Sequence, residues 1–462
     1  MHESIPIYFK SLFVAAVFAF FAEIILNLIP VLKRYHLPRA FLGGVLALIA
    51  GPQVSGQFYD LGIITPEIQN SWNELALFFV NIIFACVFLG RKIPNFRTSM
   101  DLAIPQASLG QTLAWGQYLV GGLITLFVLK PFFNLDESVA SFIEISFQGG
   151  VGVAIGMGDT FKSIGLDDAK SITVALAPLA PLAMLTGILS GVFLINLKNH
   201  SEVTRHKKEE KNKNIKLNVG ISRFQDSFIV QLAAIGIAVL LGSVVLNSLE
   251  KIEEIFLLDT LYDDKFVKYI PLFPMALLGG AIFQLLLDKF INAEIINRKT
   301  VKRIQSFSLD AVIIMAIGTI DLAVIKENLI LVFILLSAGF LWNITCFLMT
   351  YKVLIPKNPF KRGIADYGQS MGTTSIGLML QSIADKDNSA QGKEAFGIKQ
   401  LFFEPFVGGG LITALSPILI SKMGLVYFTS VSFALMLTFF LIGFYYCKRV
   451  RHKETANTIE RD

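Results

Sequence analysis

Two short glycine-rich stretches carry the residue types best suited to holding an ion or a small solute. The first, Ser146 to Asp159, reads Ser-Phe-Gln-Gly-Gly-Val-Gly-Val-Ala-Ile-Gly-Met-Gly-Asp, with five glycines in fourteen residues. The second runs from Asp366 to Gly377 and interleaves Gly368, Gly372 and Gly377 with Gln369, Ser370, Thr373, Thr374 and Ser375. Each interior glycine costs a helix ~1 kcal/mol, so both stretches predict broken helices in an otherwise apolar chain. A broken helix turns free N–H groups and a positive dipole end toward an anion, and free carbonyls toward a cation. On this reading Gly149, Gly150, Gly152 and Gly156 let backbone approach a solute closely. Gln369, Ser370, Gly372, Thr373, Thr374 and Ser375 supply the facing amides and hydroxyls. The bland alternative is tight helix packing of the G-x-x-x-G kind, but the stretches are denser in polar atoms than packing requires.

Charged residues inside apolar segments are rare and usually functional. Asp310 and Asp321 lie eleven positions apart in one expected span, which at ~100° per residue puts them on one helical face. Asp310 is thereby a candidate for ion coupling; snorkelling to the interface is its plainer reading. Glu404 precedes Pro405 and the run Val407-Gly408-Gly409-Gly410, where the missing proline N–H loosens the helix beside the expected site. Thr413 and Ser416 lie one and two turns beyond that break. Sodium is a hard cation suited to oxygen ligands, so the candidate ion ligands are Thr374, Glu404, Thr413, Ser416 and Asp310 with carbonyls of the two stretches. Glu23 follows a long apolar run, and Asn81 and Asn343 read equally well as glue between helices. Glu144 and Lys162 bracket the first stretch and are expected at a water interface.

One motif points to a different class. Gly156-Met157-Gly158-Asp159 fits the G-x-G-D pattern of intramembrane aspartyl proteases, which need a second aspartate to share a proton. The Tyr-Asp pairs, Tyr59-Asp60 and Tyr262-Asp263, both fall in expected outer loops, so Asp159 lacks its partner. No G-x-x-x-x-G-K-[ST] motif is present, which leaves an ion gradient as the energy source rather than a nucleotide. A passive channel is the other alternative, and it differs in being unable to concentrate its solute.

The elements that must position these residues are membrane spans. The chain has 462 residues, 54% of them hydrophobic and 16% charged, with a mean hydropathy of +0.62. Its apolar runs exceed the needs of a soluble core. Eleven spans are expected, at about 7–32, 40–54, 74–90, 112–129, 171–196, 227–249, 269–287, 306–325, 329–351, 395–421 and 425–447, with no cleavable leader before the first. With the N-terminus outside and each glycine-rich stretch re-entrant, 28 of the 40 Lys and Arg fall in cytoplasmic segments and seven outside. That bias follows the positive-inside rule. The expected class is an all-α polytopic membrane protein of two inverted repeats. Residues 1–196 give five spans with an insert at about 140–165, and residues 227–421 give five spans with an insert at about 366–384. Residues 422–462 hold an extra span and a cytoplasmic tail, and 197–226 form a basic cytoplasmic linker that reads as solvated rather than lipid-binding. The formal charge of +5 thus reflects orientation, not nucleic-acid binding. Cys86, Cys346 and Cys447 sit in apolar segments without metal-ligand spacing and read as buried hydrophobes.

At these residues the chain resembles the bacterial sodium:glutamate symporter family. Gly149-Gly150-Val151-Gly152-Val153 is similar to that family's Gly-Gly-His-Gly-Thr signature. Further likeness lies in Leu37-Pro38-Arg39-Ala40-Phe41-Leu42-Gly43-Gly44, in Met315-Ala316, and in Pro405-Phe406-Val407-Gly408. Val151 and Val153 replace the family's His and Thr, and Thr413 and Ser416 stand where it typically has Asp and Asn. The resemblance implies inverted five-span repeats, a homodimer in the bacterial inner membrane, and an elevator-like transport domain. The expectation is therefore a non-enzymatic, sodium-coupled symporter of a small organic anion, with glutamate first and a di- or tricarboxylate as the alternative. Sodium is the coupling ion, no cofactor is expected, and membrane lipid is the surrounding partner.

Overall fold

The computed structural model describes residues 6–29, 37–57, 64–91, 96–163, 170–202, 227–257, 267, 270–290, 295–385 and 389–459. Every long element among them is helical: α1 (Ile7–Leu28), α2 (Arg39–Ala50), α3 (Pro66–Ala85), α4 (Phe96–Ile124), α5 (Gly150–Gly156), α6 (Gly158–Ser163), α7 (Lys170–Glu202) and α8 (Phe228–Leu257). Then follow α9 (Leu272–Phe290), α10 (Arg298–Gly318), α11 (Leu322–Glu327), α12 (Leu329–Leu354), α13 (Pro359–Ser370), α14 (Thr374–Ala384), α15 (Gly392–Phe403), α16 (Leu411–Met423) and α17 (Leu425–Ile459).

Local chemistry explains many of the starts. Thr65 accepts from the Ile68 N–H at 3.4 Å ahead of Pro66, whose fixed φ suits a first helical turn. Asn297 Oδ1 accepts from the N–H groups of Lys299 and Thr300 at 3.0 and 3.3 Å and opens α10. Pro359 opens α13 behind Asn358, which takes a left-handed φ of 46°. Thr373 Oγ1 caps α14 by accepting from the Ile376 N–H at 3.4 Å.

Among the described residues, eight helical segments are long and apolar enough to cross a membrane. Seven coincide with expected spans: Ile7–Leu28, Leu102–Phe133, Pro178–Lys198, Phe228–Ile255, Leu272–Phe290, Leu329–Leu354 and Leu425–His452. The other four expected spans differ for separate reasons. Helix α2 has only 12 residues, and α3 and α10 carry charged and polar side chains along their length. The stretch after the second insert is split at Glu404–Gly410 into α15 and α16. The eighth segment, Glu137–Gly156, contains most of the first glycine-rich stretch. It is not a regular helix, since a π-helical turn at Ile145–Gly149 gives way to α5 at Gly150, whose φ is +77°.

The helices pack as two sets. In the first, α1 packs against α2 and α3, all three pack against α10, and α9 packs against both α3 and α8. Trp72 of α3, fully buried, ties that set to α1 by donating Nε1–H to the Ser11 carbonyl at 2.8 Å. In the second, α4 packs along α17, α12, α13 and α15, and α7 packs along α5, α12 and α14. Contact between the sets runs mainly through α5 against α3 and α10. That seam, where an irregular glycine-rich segment meets two straight helices, is where the site lies.

Two sequence expectations change here. Asp310 and Asp321 do not share a helix: α10 ends at Gly318, and Asp321 sits beyond it, accepting from the Ala323 N–H at 2.9 Å at the start of α11. Helix α4 begins at Phe96, not near Thr112, because its first half is polar but turned inward, with Gln106, Ser108 and Gln111 all buried. Most of the basic linker, at 203–226, lies outside the described residues, as do the side chains of Asp159 and Lys162.

Candidate functional site

The two glycine-rich stretches meet. A Cβ added at Gly150 would collide with the Gly372 carbonyl oxygen and lie 2.8 Å from Thr373 Cγ2, so backbone of one stretch rests directly on backbone of the other. Only glycine suits Gly150, where both the positive φ and the close approach exclude a side chain. The second stretch is a tight helical hairpin. Helices α13 and α14 join through Met371–Thr373 and approach so closely that a Cβ on Gly368 would be 2.8 Å from the Gly377 Cα.

Beside this contact lies a cavity of about 290 Å³, near the lower end of the range for small-molecule sites. Three pieces of irregular backbone line it: Gln148, Gly149, Gly152 and Val153 from the first stretch; Thr373, Thr374 and Ser375 from the second; Glu404 and Gly408 from the α15–α16 break. The remaining wall comes from the α3 end, with Arg91, and from α10, with Arg298, Lys302 and Gln305.

Along the cavity's edge a chain of polar groups ends on unpaired oxygens. Gln400 Nε2 donates to Thr374 Oγ1 at 2.7 Å, and that hydroxyl donates to Glu404 Oε1 at 2.9 Å. The directions follow, since a hydroxyl with its lone pair engaged by an amide offers its proton to a carboxylate. Gln400 Oε1, Glu404 Oε2 and Gln148 Oε1 are buried with no hydrogen-bond partner among the described residues. Buried acceptors without donors are costly; Gln148 and Glu404 line the cavity and Gln400 is bonded to its Thr374, an arrangement that fits a cation or a donating ligand.

The guanidinium groups complete the electrostatics. Arg298 Nη1 donates to the carbonyls of Cys86 and Leu89 at 2.6 and 2.8 Å, closing the end of α3. Burial, with the like charge of Arg91 beside it, pushes Arg298 down to about 10, still protonated at neutral pH. Burial also lowers Arg91, opposed by the Glu404 carboxylate.

Of the sequence-selected substrate residues, Gly149, Gly152, Thr373, Thr374 and Ser375 line the cavity, and Gly150 and Gly372 form the contact behind it. Gly156 lies elsewhere, its Cα turned against the Phe273 ring. Gln369 is held by the Lys399 ammonium, and Ser370 donates to the Tyr367 carbonyl at 2.9 Å while its own carbonyl accepts from Gln117. Neither lines the cavity.

Of the candidate ion ligands, Thr374 and Glu404 are in the cavity. Thr413 belongs to a separate buried cluster. Its hydroxyl accepts from the N–H groups of Gly408 and Gly409, both at 3.1 Å, and donates to Glu144 Oε1 at 2.9 Å. Ser416 donates to the Thr413 carbonyl at 2.8 Å. Glu144 is not at a water interface: it is fully buried, with Tyr118 donating to Oε2 at 2.6 Å and Gly408 N–H to Oε1 at 3.2 Å. Asp310 pairs with Arg39 at 2.9 Å in a different groove, between α1 and α10. Asn343 accepts from Gln117 at 2.8 Å and so joins α12 to α4.

The residues that sequence reasoning missed are Gln148, Gln400, Arg91 and Arg298. Gln148 adjoins Gly149, and Gln400 lies one helical turn before Glu404, so both are within reach of a spacing argument. Charge bias alone assigns the arginines to cytoplasmic loops.

Opposed helix breaks around a charged cavity in a bundle of apolar helices define a membrane carrier of small solutes. The chain belongs to the sodium/glutamate symporter family, whose model matches residues 7–359. It is accordingly a secondary transporter, not an enzyme, and its solute and ion are glutamate and sodium. The match ends where α13 begins, so the second break and Glu404 lie outside it. No curated protein matches the chain.

Proposed function

We propose that glutamate and sodium bind together in the cavity between the two glycine-rich breaks. The observation that carries this is the coincidence of the Gly150–Gly372 contact with a cavity whose lining residues Gln148 and Glu404 each carry a buried oxygen without a partner among the described residues. The α-carboxylate takes N–H groups of Gly149–Gly152 and the hydroxyls of Thr373 and Ser375. Sodium takes Glu404 Oε2, Gln400 Oε1 and Thr374 Oγ1, hard ligands for a hard cation. Thr413 has no role as a ligand in this reading, since two N–H groups already occupy its oxygen. Ser416 and Asp310 act at a distance or not at all.

In the same reading the breaks are re-entrant hairpins of two inverted five-span repeats. The set containing α4, α5, α7 and α12–α17 carries the solute past the set containing α1–α3 and α8–α10, as in an elevator. The segregated packing of the two sets, joined mainly through α5, supports that motion. The protein works as a homodimer in the inner membrane, N-terminus outside and C-terminus cytoplasmic; the charge bias of the loops supports the orientation.

The test is uptake of labelled L-glutamate into proteoliposomes under an inward sodium gradient. Wild type accumulates glutamate uphill, Glu404→Gln does not, and Thr374→Val raises the sodium KM. Unchanged sodium dependence in both variants would place the ion elsewhere.

A further inference from the structure

The cavity holds more positive charge than a backbone-only anion site requires. Arg91 and Arg298, both half-buried, line its wall, and the charge of Arg91 is felt at Arg298. Arg298 is fixed, because its Nη1 serves the carbonyls of Cys86 and Leu89. The Arg91 guanidinium has no hydrogen-bond or ion-pair partner among the described residues, although it carries five N–H donors. Glu404 is the acidic group whose field reaches both, and no ion pair joins it to either. Two like charges withdrawn from water repel each other. An anion placed between them removes the repulsion and fills the empty donors at once.

Glutamate carries two carboxylates and one ammonium. The glycine N–H groups and insert hydroxyls account for one carboxylate, which leaves the other without a partner in the reading above. We propose that Arg91, beside Arg298, binds the side-chain carboxylate of glutamate, making this pair the element that selects an acidic side chain over its amide. Arg91 supplies the planar fork that matches a carboxylate in two parallel hydrogen bonds, which a lysine does not reproduce. Arg298 supplies a second, fixed charge and holds the end of α3, and with it Arg91, in place. Neither arginine belongs to the glycine-rich breaks, so recognition is divided: the breaks hold the part common to all amino acids, and the α3–α10 wall reads the side chain in the state where the cavity faces it, before the solute is carried past.

This inference rests on the cavity being the glutamate site, and the experiment separates the two. Full-length wild type, Arg91→Gln, Arg91→Lys and Thr374→Val are reconstituted, and sodium-driven uptake of labelled L-glutamate is measured with unlabelled L-glutamine as competitor. Arg91→Gln is expected to raise the glutamate KM at least tenfold and to shift the glutamate-to-glutamine preference toward unity by a similar factor. Arg91→Lys is expected to recover part of both. Arg298 is left intact, because its loss would also free the end of α3. A uniform drop in maximal rate with the preference unchanged would overturn the proposal, as would an unchanged KM in Arg91→Gln where Thr374→Val is affected. If Thr374→Val and Arg91→Gln both leave glutamate and sodium KM untouched, the cavity itself is not the site. Should Arg91→Gln fail to fold, the preference in Arg91→Lys decides: an unshifted ratio overturns the proposal, and a partial loss of discrimination supports it.

Discussion

Two buried carboxylates flank the second break, and they are treated in opposite ways. Asp366 of α13 is 1% exposed and answers the Lys399 ammonium at 3.0 Å, with Gln106 donating to its other oxygen. Lys399 in turn reaches Gln369 and lies 5.1 Å from the centre of the Phe396 ring. Glu404 follows Lys399 closely in sequence, yet it sits in the cavity with Oε2 unpartnered. The difference separates structure from function. A carboxylate whose counter-charge is built into the chain ties α4, α13 and α15 together, whereas one whose second oxygen is open at the cavity is, in the proposed reading, the one that takes a ligand from outside. Glu144 is also satisfied within the chain, though by the neutral donors Tyr118, Thr413 and the Gly408 N–H rather than by a counter-charge.

The contrast is sharpest at Glu404. Removing one partner of a buried charge interaction costs about 3–5 kcal/mol, so Glu404→Gln is expected to raise the sodium KM ~100-fold or more. Thermal unfolding in detergent should stay near wild type. A large fall in stability with sodium dependence intact would place Glu404 alongside Asp366. The mirror experiment is Asp366→Asn, which strands the Lys399 ammonium in the core. Stability should fall by about 3–5 kcal/mol, read as a lowered melting temperature, while the sodium KM of the folded fraction changes little. Replacing both members, Asp366→Leu with Lys399→Met, should recover most of that loss.

Smaller effects come from the hydroxyls. Thr374→Val is expected to weaken sodium about tenfold, the worth of one hydrogen bond to a charged group. Thr413→Val should instead cost about 1–2 kcal/mol of stability and leave the sodium KM within a few-fold of wild type. Equal effects on sodium KM would erase the distinction between the two clusters. Least of all is expected from Asp310→Asn. Its side chain and that of its partner Arg39 are 30% and 56% exposed, and such pairs contribute about 0–1 kcal/mol, so uptake and melting temperature should both stay close to wild type.

The sequence made the two breaks legible because glycine and hydroxyl residues are conspicuous among apolar runs. Gly149, Gly152, Thr373, Thr374, Ser375 and Glu404 all reach the cavity. What it hid depends on chain pairing over long separations. Glu144 finds its donors at Tyr118, Gly408 and Thr413, and no local pattern announces partners that far away. Arg91 and Arg298 share the sign of the loop charges that orient the protein, so a rule that explains lysines and arginines in bulk conceals the two that line the cavity. The early start of α4 escaped because hydropathy registers lipid-facing surface, and Gln106, Ser108 and Gln111 face protein.

The resting of Gly150 on the Gly372 carbonyl has a mechanical corollary. A lone methyl at position 150 would act as a wedge driven between the two ends of the polypeptide, prising apart lengths of backbone separated by more than two hundred residues. Damage begun in one end of the gene would thus be felt as a defect of the other.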